Sequence, residues 1–399
     1  MQKTMYNGSL FQYIFLLAIS CIGLERLNVL PWSGSFVQLF YLLSIPFLWV
    51  MWQAKFKSLQ ILYVALMMAL AASLAANGLF NAYHWKKFVL MGYVLAASFS
   101  LAAYVYLNNL EELLIKALKI YVLLNIAITL GQLPSFFDGN YLSIHLDSSR
   151  FMNLDAIVIG DYFRPSGYSF ESSKGMFNFS YALICLSLVS DGGWTWMRLM
   201  YPLTFLAHSR STILSILPAL FARSKFYAAL SVVLYLMVLL FLTPQHVLTD
   251  RLESTNSTGS TFNNSSSNSM RFELIKLWAR SMNTASPGQV IFGHGIASSG
   301  VYLEKSLGTN YGDFANGYLT VFYELGLVGM ALLGVLLTNL WRTFDSKSRY
   351  MLLIPLMVFQ MFCGNLGEPL ILLALSYFFL KHQGKRIDDQ HKNRLGSKE

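Results

Sequence analysis

Charge is what this sequence has least of. Only 12% of its 399 residues are Asp, Glu, Lys or Arg, while 55% are hydrophobic and the mean hydropathy is +0.48. A soluble domain carries about 25% charged residues, and here the apolar residues come in runs of roughly membrane-spanning length. Together these exclude one large soluble core. Cysteine is scarce too. Cys21, Cys185 and Cys363 all fall within apolar runs, which excludes a disulfide framework, and their spacing fits no metal site; buried core cysteine is the reading for each. A small-x-small cleavage site is also missing after the first apolar run, Leu10–Leu24, and Glu25-Arg26 follows it directly. The run therefore reads as a retained first span. No internal repeat is sustained.

What is present reads as an all-α polytopic membrane protein of about 12 transmembrane helices. Spans are expected near Leu10–Leu24, Phe36–Trp52, Leu59–Ala76, Phe88–Leu107, Leu113–Leu133, Gly175–Ser190, Trp194–Ala207, Ser211–Phe221, Phe226–Leu242, Tyr318–Leu340, Met351–Gly364 and Leu366–Leu380. The expected organisation is N-terminal helices over 1–133, a first long loop over 134–174, central helices over 175–242, a large loop over 243–316, C-terminal helices over 317–381 and a tail over 382–399. Several spans are short for a bilayer core of about 30 Å, so broken or re-entrant helices are expected. Trp49, Trp52, Trp194 and Trp341, near span ends, read as interfacial anchors.

With both termini in the cytoplasm, the inner segments and tail hold 17 of the 29 basic residues, and the short outer loops only Arg26, Lys86 and Lys87. This follows the positive-inside rule. The other nine are Arg150, Arg164, Lys174, Arg210, Arg251, Arg271, Lys276, Arg280 and Lys305, all in the two long outer loops or the turn at Ser209-Arg210. Six of these nine are arginine, whereas 11 of the 17 inner residues are lysine. Long loops tolerate charge, but a guanidinium fork grips phosphate oxygens two at a time. In the second long loop, Ser254–Ser269 is almost wholly Ser, Thr, Asn and Gly and cannot bury a core. Met270–Ser281 then shows helical spacing and is expected to lie on the membrane surface.

Four segments carry candidate chemistry: Arg164-Pro-Ser-Gly with the following Tyr-Ser-Phe-Glu171-Ser-Ser-Lys174-Gly175; His208-Ser-Arg210-Ser; Arg271 to Trp278; and Gly293-His-Gly through Asn316-Gly-Tyr318-Leu to Glu324-Leu-Gly-Leu-Val-Gly329. In this order, over about Arg164 to Gly329, they resemble the O-antigen polymerase and O-antigen ligase superfamily. Arg164 and Gly175 also reproduce an Arg-x10-Gly pattern of polymerase outer loops, which Arg271 and Arg280 do not repeat. The resemblance implies a metal-independent, GT-C-like membrane glycosyltransferase without cofactor, with periplasmic loops and with oligosaccharides on undecaprenyl diphosphate as substrates. Family ligases carry a His-Asn pair before the late span; this chain reads Ala315-Asn316 there, which favours the polymerase branch.

A sugar 1-diphosphate already has a good leaving group, so the enzyme must stabilise departing negative charge and orient a hydroxyl. Preorganised arginines in a partly dry site do the first without a metal. Arg210 and Arg271 are the candidates for the diphosphate; Arg164 holds diphosphate or an anionic sugar. Glu171, in the same loop as Arg164, is the candidate base, or else positions Arg164 or Lys174. Arg280, Asn316 and Tyr318 complete the candidate substrate-binding set, with a solvated role the alternative for Arg280, as for Arg150 and Arg251. His208 and His294 are weaker candidates for a base. Glu324 and Glu368 sit in apolar stretches, where an ionisable group needs a partner or a function. The glycines at 293, 295, 326 and 329 read as turn and packing positions.

The expected activity is that of an inner-membrane polysaccharide polymerase. It would transfer a growing glycan from undecaprenyl diphosphate to the non-reducing end of a new lipid-linked repeat. A net charge of +9 suits an anionic lipid-linked substrate at a membrane surface. Expected partners are that donor and acceptor and membrane lipid, with a chain-length regulator as a candidate and nucleic acid not expected. The alternatives are a ligase, which moves the glycan to lipid A core, and a flippase or transporter. Transporters show inverted repeats and charge at the midplane; this chain concentrates charge in its outer loops.

Overall fold

The computed structural model describes residues 8–22, 39–53, 57–78, 82–138, 158–159, 162–163, 172–206, 210–237, 267–307, 314–363 and 367–396. In chain order the helices begin with α1 (Ser9–Ser20), α2 (Leu39–Ser44), α3 (Val50–Gln53), α4 (Lys57–Ala76), α5 (Ala82–Leu107) and α6 (Glu111–Asp138). A two-residue antiparallel hairpin, β1 (Val158–Ile159) with β2 (Tyr162–Phe163), follows. Next come α7 (Ser172–Val189), α8 (Gly193–Met200), α9 (Leu203–Leu206), α10 (Arg210–Arg223) and α11 (Lys225–Met237). The C-terminal part holds α12 (Ser267–Asn283), α13 (Pro287–Phe292), α14 (Ser298–Leu307), α15 (Gly317–Thr343), α16 (Ser346–Ser348), a π-helical turn (Arg349–Leu353), α17 (Ile354–Gln360) and α18 (Pro369–Gly396).

The expectation of a helical membrane protein holds, but the count of spans does not carry over. Three described helical segments are long and apolar enough to cross a membrane: Tyr83–Leu107, Glu111–Gly131 and Gly317–Thr343. Five shorter apolar helices, among them Lys174–Val189 and Ser211–Arg223, fill the bundle. The expected span Trp194–Ala207 is instead the two short helices α8 and α9. The reason is local. The chain reverses tightly after α7 and α8 runs back along it, which glycine at 193 permits, since a Cβ there would collide with the Leu186 carbonyl. The stretch expected as a large loop, 243–316, contains α12, α13 and α14.

The core is aromatic and close-packed. Tyr104, Tyr121, Tyr181, Phe15, Phe47, Phe99 and Phe177 are fully buried, and the rings of Phe177 and Phe359 stack at 3.8 Å. Between helices in lipid, such packing and interhelical hydrogen bonds do the work that water exclusion does elsewhere. Tyr63 and Ser376 share a hydrogen bond at 2.9 Å, and Tyr181 donates to the Leu352 carbonyl at 3.2 Å. All three cysteines are buried, as expected.

The bundle has two chemically distinct ends. At one, Lys381 of α18 pairs with Glu111 at 2.6 Å and Arg386 donates to the Arg342 carbonyl at 2.6 Å. Arg223 and Arg349 lie over the rings of Trp194 and Trp341 at 5.7 and 5.4 Å, where anchoring tryptophans were expected. At the other end of the apolar stretch of α18 lies Glu368, paired with Lys174 of α7.

Candidate active site

Three segments meet at the turn that ends α17. Met361, Phe362 and Cys363 form it. The guanidinium of Arg271, in the first half of α12, stands 5.9 Å from the centroid of the Phe362 ring. Ser211, beside Arg210 at the start of α10, faces Cys363, with Oγ and Sγ 3.9 Å apart. Asn316 donates its Nδ2 to the Met361 carbonyl at 3.0 Å. The start of α10, the start of α15 and Arg271 are thus brought to one place from segments far apart in sequence. Arg210 is the first residue of α10, and its side chain lies outside the described residues. Arg164, Glu171, His208, Arg150 and Arg251 also lie outside them.

The remaining expected residues occupy defined places. Asn316 caps α15: its Oδ1 accepts from the backbone N–H groups of Tyr318 and Leu319 at 3.0 and 3.1 Å. This satisfies two of the donors that a helix start leaves open. Tyr318 donates its hydroxyl to the Met357 carbonyl at 3.0 Å, tying α15 to α17. Arg280 is exposed on the last turn of α12. The apolar residues of α12 divide: Leu274, Leu277 and Trp278 pack with Leu303, Phe314 and Tyr323, while Phe272 and Ile275 face outward.

Glu368 and Glu324, whose functions the sequence left open, both have partners. Glu368 is only 4% exposed, and its Oε1 pairs with Lys174 at 2.6 Å. Its Oε2 accepts from Asn178 at 2.9 Å, so one buried carboxylate locks the start of α7 to the start of α18. Glu324 accepts from the Ser299 hydroxyl at 2.5 Å and from the backbone amides of Ala297 and Ser299, which caps α14.

The two glycine motifs are parts of a single construction. Helix α15 breaks at Gly326, which has φ 62° and ψ −157°, a conformation open only to glycine. The break frees the Tyr323 and Glu324 carbonyls, and the Gly293-His294-Gly295 turn fills them. His294 N–H donates to Tyr323 at 2.7 Å and Gly295 N–H to Glu324 at 3.0 Å. Helices α4 and α5 complete the unit. Ser73 donates to the Glu324 carbonyl at 2.7 Å, Asn77 to the Gly293 carbonyl at 2.8 Å, and His84 Nδ1 lies 2.6 Å from the Ile296 carbonyl. Reading the sequence missed Ser73, Asn77, His84 and the Phe362 turn. The one available signal was a Ser and an Asn four apart on the last turn of an apolar helix, which puts both on one face.

His294 stacks its ring on Tyr323 at 4.1 Å and 4°. Burial pushes its imidazole below the ordinary range, a shift partly offset by its bond to the Tyr323 carbonyl. The ring is neutral at neutral pH.

No curated protein matches the chain. Residues 176–334 match the family described as O-antigen ligase (Wzy_C), a region running from the start of α7, through α10 and α12, to beyond the break in α15. In this part the chain is similar to the O-antigen polymerase and ligase superfamily.

Proposed function

We propose that the protein is a polysaccharide polymerase. It transfers a growing glycan from undecaprenyl diphosphate to the non-reducing end of a new lipid-linked repeat unit. The observation that carries this reading is the meeting of Arg271 with the start of α10, where Arg210 stands, at the Met361–Cys363 turn. Guanidinium groups held at one membrane edge suit a leaving diphosphate, because they accept charge that develops as the sugar departs without reorganising. The proposed chemistry is metal-independent and of the GT-C kind. Its site faces the periplasm from the bacterial inner membrane, the side on which the outer loops carry their arginines.

A ligase that moves the glycan to lipid A core is the second reading, favoured by the family description itself. Ala315, where family ligases carry histidine, favours the polymerase. A deletion strain separates them. Loss of a polymerase leaves surface lipid carrying a single repeat, whereas loss of a ligase leaves the core bare and long chains on the carrier. Purified protein in liposomes tests both against a flippase: lipid crossing with no glycan transfer in any condition overturns the enzyme reading.

A further inference from the structure

We propose that the basic end of the bundle binds an anionic phospholipid, with the headgroup phosphate at the corner where α15 turns into α16 and an acyl chain along α15. This corner lies at the far end of α18 from Glu368, and lipid binding there does not depend on glycosyl transfer. The corner is firmly built. Asp345 Oδ1 accepts from the Ser348 N–H at 2.8 Å and so caps α16, and the Arg349 N–H donates to the Asp345 carbonyl at 3.0 Å. Helix α18 is tied to it twice. Ser348 Oγ lies 3.0 Å from His382 Nε2, and one turn later Arg386 donates Nη2 to the Arg342 carbonyl at 2.6 Å. Residues 342–349 and 381–386 therefore present one surface.

That surface has cations to spare. It carries Arg342, Lys347, Arg349, Lys381, Lys385 and Arg386, and its described acids are Asp345 and Glu111. Glu111 is taken by Lys381 at 2.6 Å, and Asp345 by the Ser348 amide, with His382 at 3.7 Å. Among the described residues, no carboxylate pairs with Arg342, Lys347, Arg349, Lys385 or Arg386. The sequence beyond Arg386 is balanced, with Asp388, Asp389 and Glu399 against Lys392, Arg394 and Lys398. Guanidinium groups without a carboxylate are what a phosphodiester seeks.

The corner continues into an apolar track, which favours a lipid over a free anion. Ala331, Val335, Thr338 and Arg342 follow one another at helical spacing on α15, and all are exposed. Helix α15 is long and apolar enough to cross a membrane, so this face gives an acyl chain a surface to lie on. Trp341 and Tyr350 flank the corner at 41% and 51% exposure, and the Arg349 guanidinium lies 5.4 Å from the Trp341 ring centroid. Aromatic rings of this kind sit at headgroup level. Arg342 and Arg349 thus stand beside the ring that marks the boundary between headgroup and chain.

The test uses the full chain in neutral detergent micelles, with phosphatidylglycerol, phosphatidylcholine or inorganic phosphate added and bound lipid counted by native mass spectrometry. Phosphatidylglycerol should bind the wild type at least about tenfold more tightly than phosphatidylcholine, and less tightly as salt is raised. Arg342→Gln with Arg349→Gln should weaken phosphatidylglycerol about 10- to 30-fold and leave phosphatidylcholine unchanged. Lys276→Gln with Lys305→Gln, matched in charge but on α12 and α14, should bind like the wild type. Equal affinity of the wild type for the two lipids overturns the site, as does wild-type affinity in the arginine variant. An equal loss in the lysine variant makes net charge the cause, and displacement by inorganic phosphate at the same concentration makes the ligand a free anion; either overturns it too. Should the arginine variant not fold, phenylglyoxal on the wild type serves. Phosphatidylglycerol, and not phosphatidylcholine, should slow modification mapped to Arg342 and Arg349; equal rates with both lipids overturn the proposal.

Discussion

Gly326 and Gly293 touch through their backbones: a Cβ on Gly326 would stand 2.6 Å from the Gly293 nitrogen. Neither position has room for a side chain, and Gly326 also holds φ at 62°. Gly326→Ala should therefore lower stability by more than the roughly 1–3 kcal/mol of backbone strain alone. Thermal unfolding in detergent checks it. Gly334→Ala is the control, since nothing lies within 4 Å of its Cβ site; that variant should be neutral or slightly stabilising.

The cap at Asn316 gives a test that separates helix capping from substrate contact. Asn316→Ala should cost about 1 kcal/mol through the lost cap, and Asn316→Ser should restore much of it. Transfer activity measured on both sorts the two functions. If Asn316→Ser recovers stability but not activity, the amide acts beyond the cap, through Met361 or substrate.

Lys174 and Glu368 form a pair in which Glu368 is 5% and Lys174 23% exposed at the side chain. Removing one partner of a buried pair leaves an uncompensated charge, at about 3–5 kcal/mol. Glu368→Ala should be strongly destabilising, and Lys174→Met with Glu368→Met together should be milder than Glu368→Met alone. A double-mutant cycle by chemical unfolding measures it. Additive effects would mean that the two side chains do not interact.

His294 should also make stability depend on pH. Its imidazole is pushed below the ordinary value, so the folded protein holds that proton less tightly than the unfolded chain. The stabilisation is whole above the ordinary imidazole value of about 6.5 and is lost as pH falls below it. Thermal midpoints measured from pH 8 down to 5 should drop less for His294→Gln than for wild type.

The helical membrane character was legible because apolar runs act locally. The number of spans was not. The reversal at Gly193, with α8 folding back along α7, depends on a close approach to the Leu186 carbonyl that only a residue without a side chain permits, and no run length reveals it. Gly293-His-Gly and Glu324-Leu-Gly were visible as separate motifs. Their union depends on a helix break whose open carbonyls are filled from residues about thirty positions away. Ser73, Asn77 and His84 could not be connected with that union at all, since interhelical hydrogen bonds leave no periodic signature.

The most direct measurement is chain extension by purified protein with lipid-linked repeat units, comparing wild type with Arg271→Ala, Arg271→Lys, Arg210→Ala and Arg210→Lys. If the two guanidinium groups hold one diphosphate, each alanine variant should lose about 10²- to 10³-fold in kcat, and lysine should not restore it, because an ammonium lacks the fork. Folded arginine variants that extend chains at the wild-type rate and to the wild-type length would contradict the account.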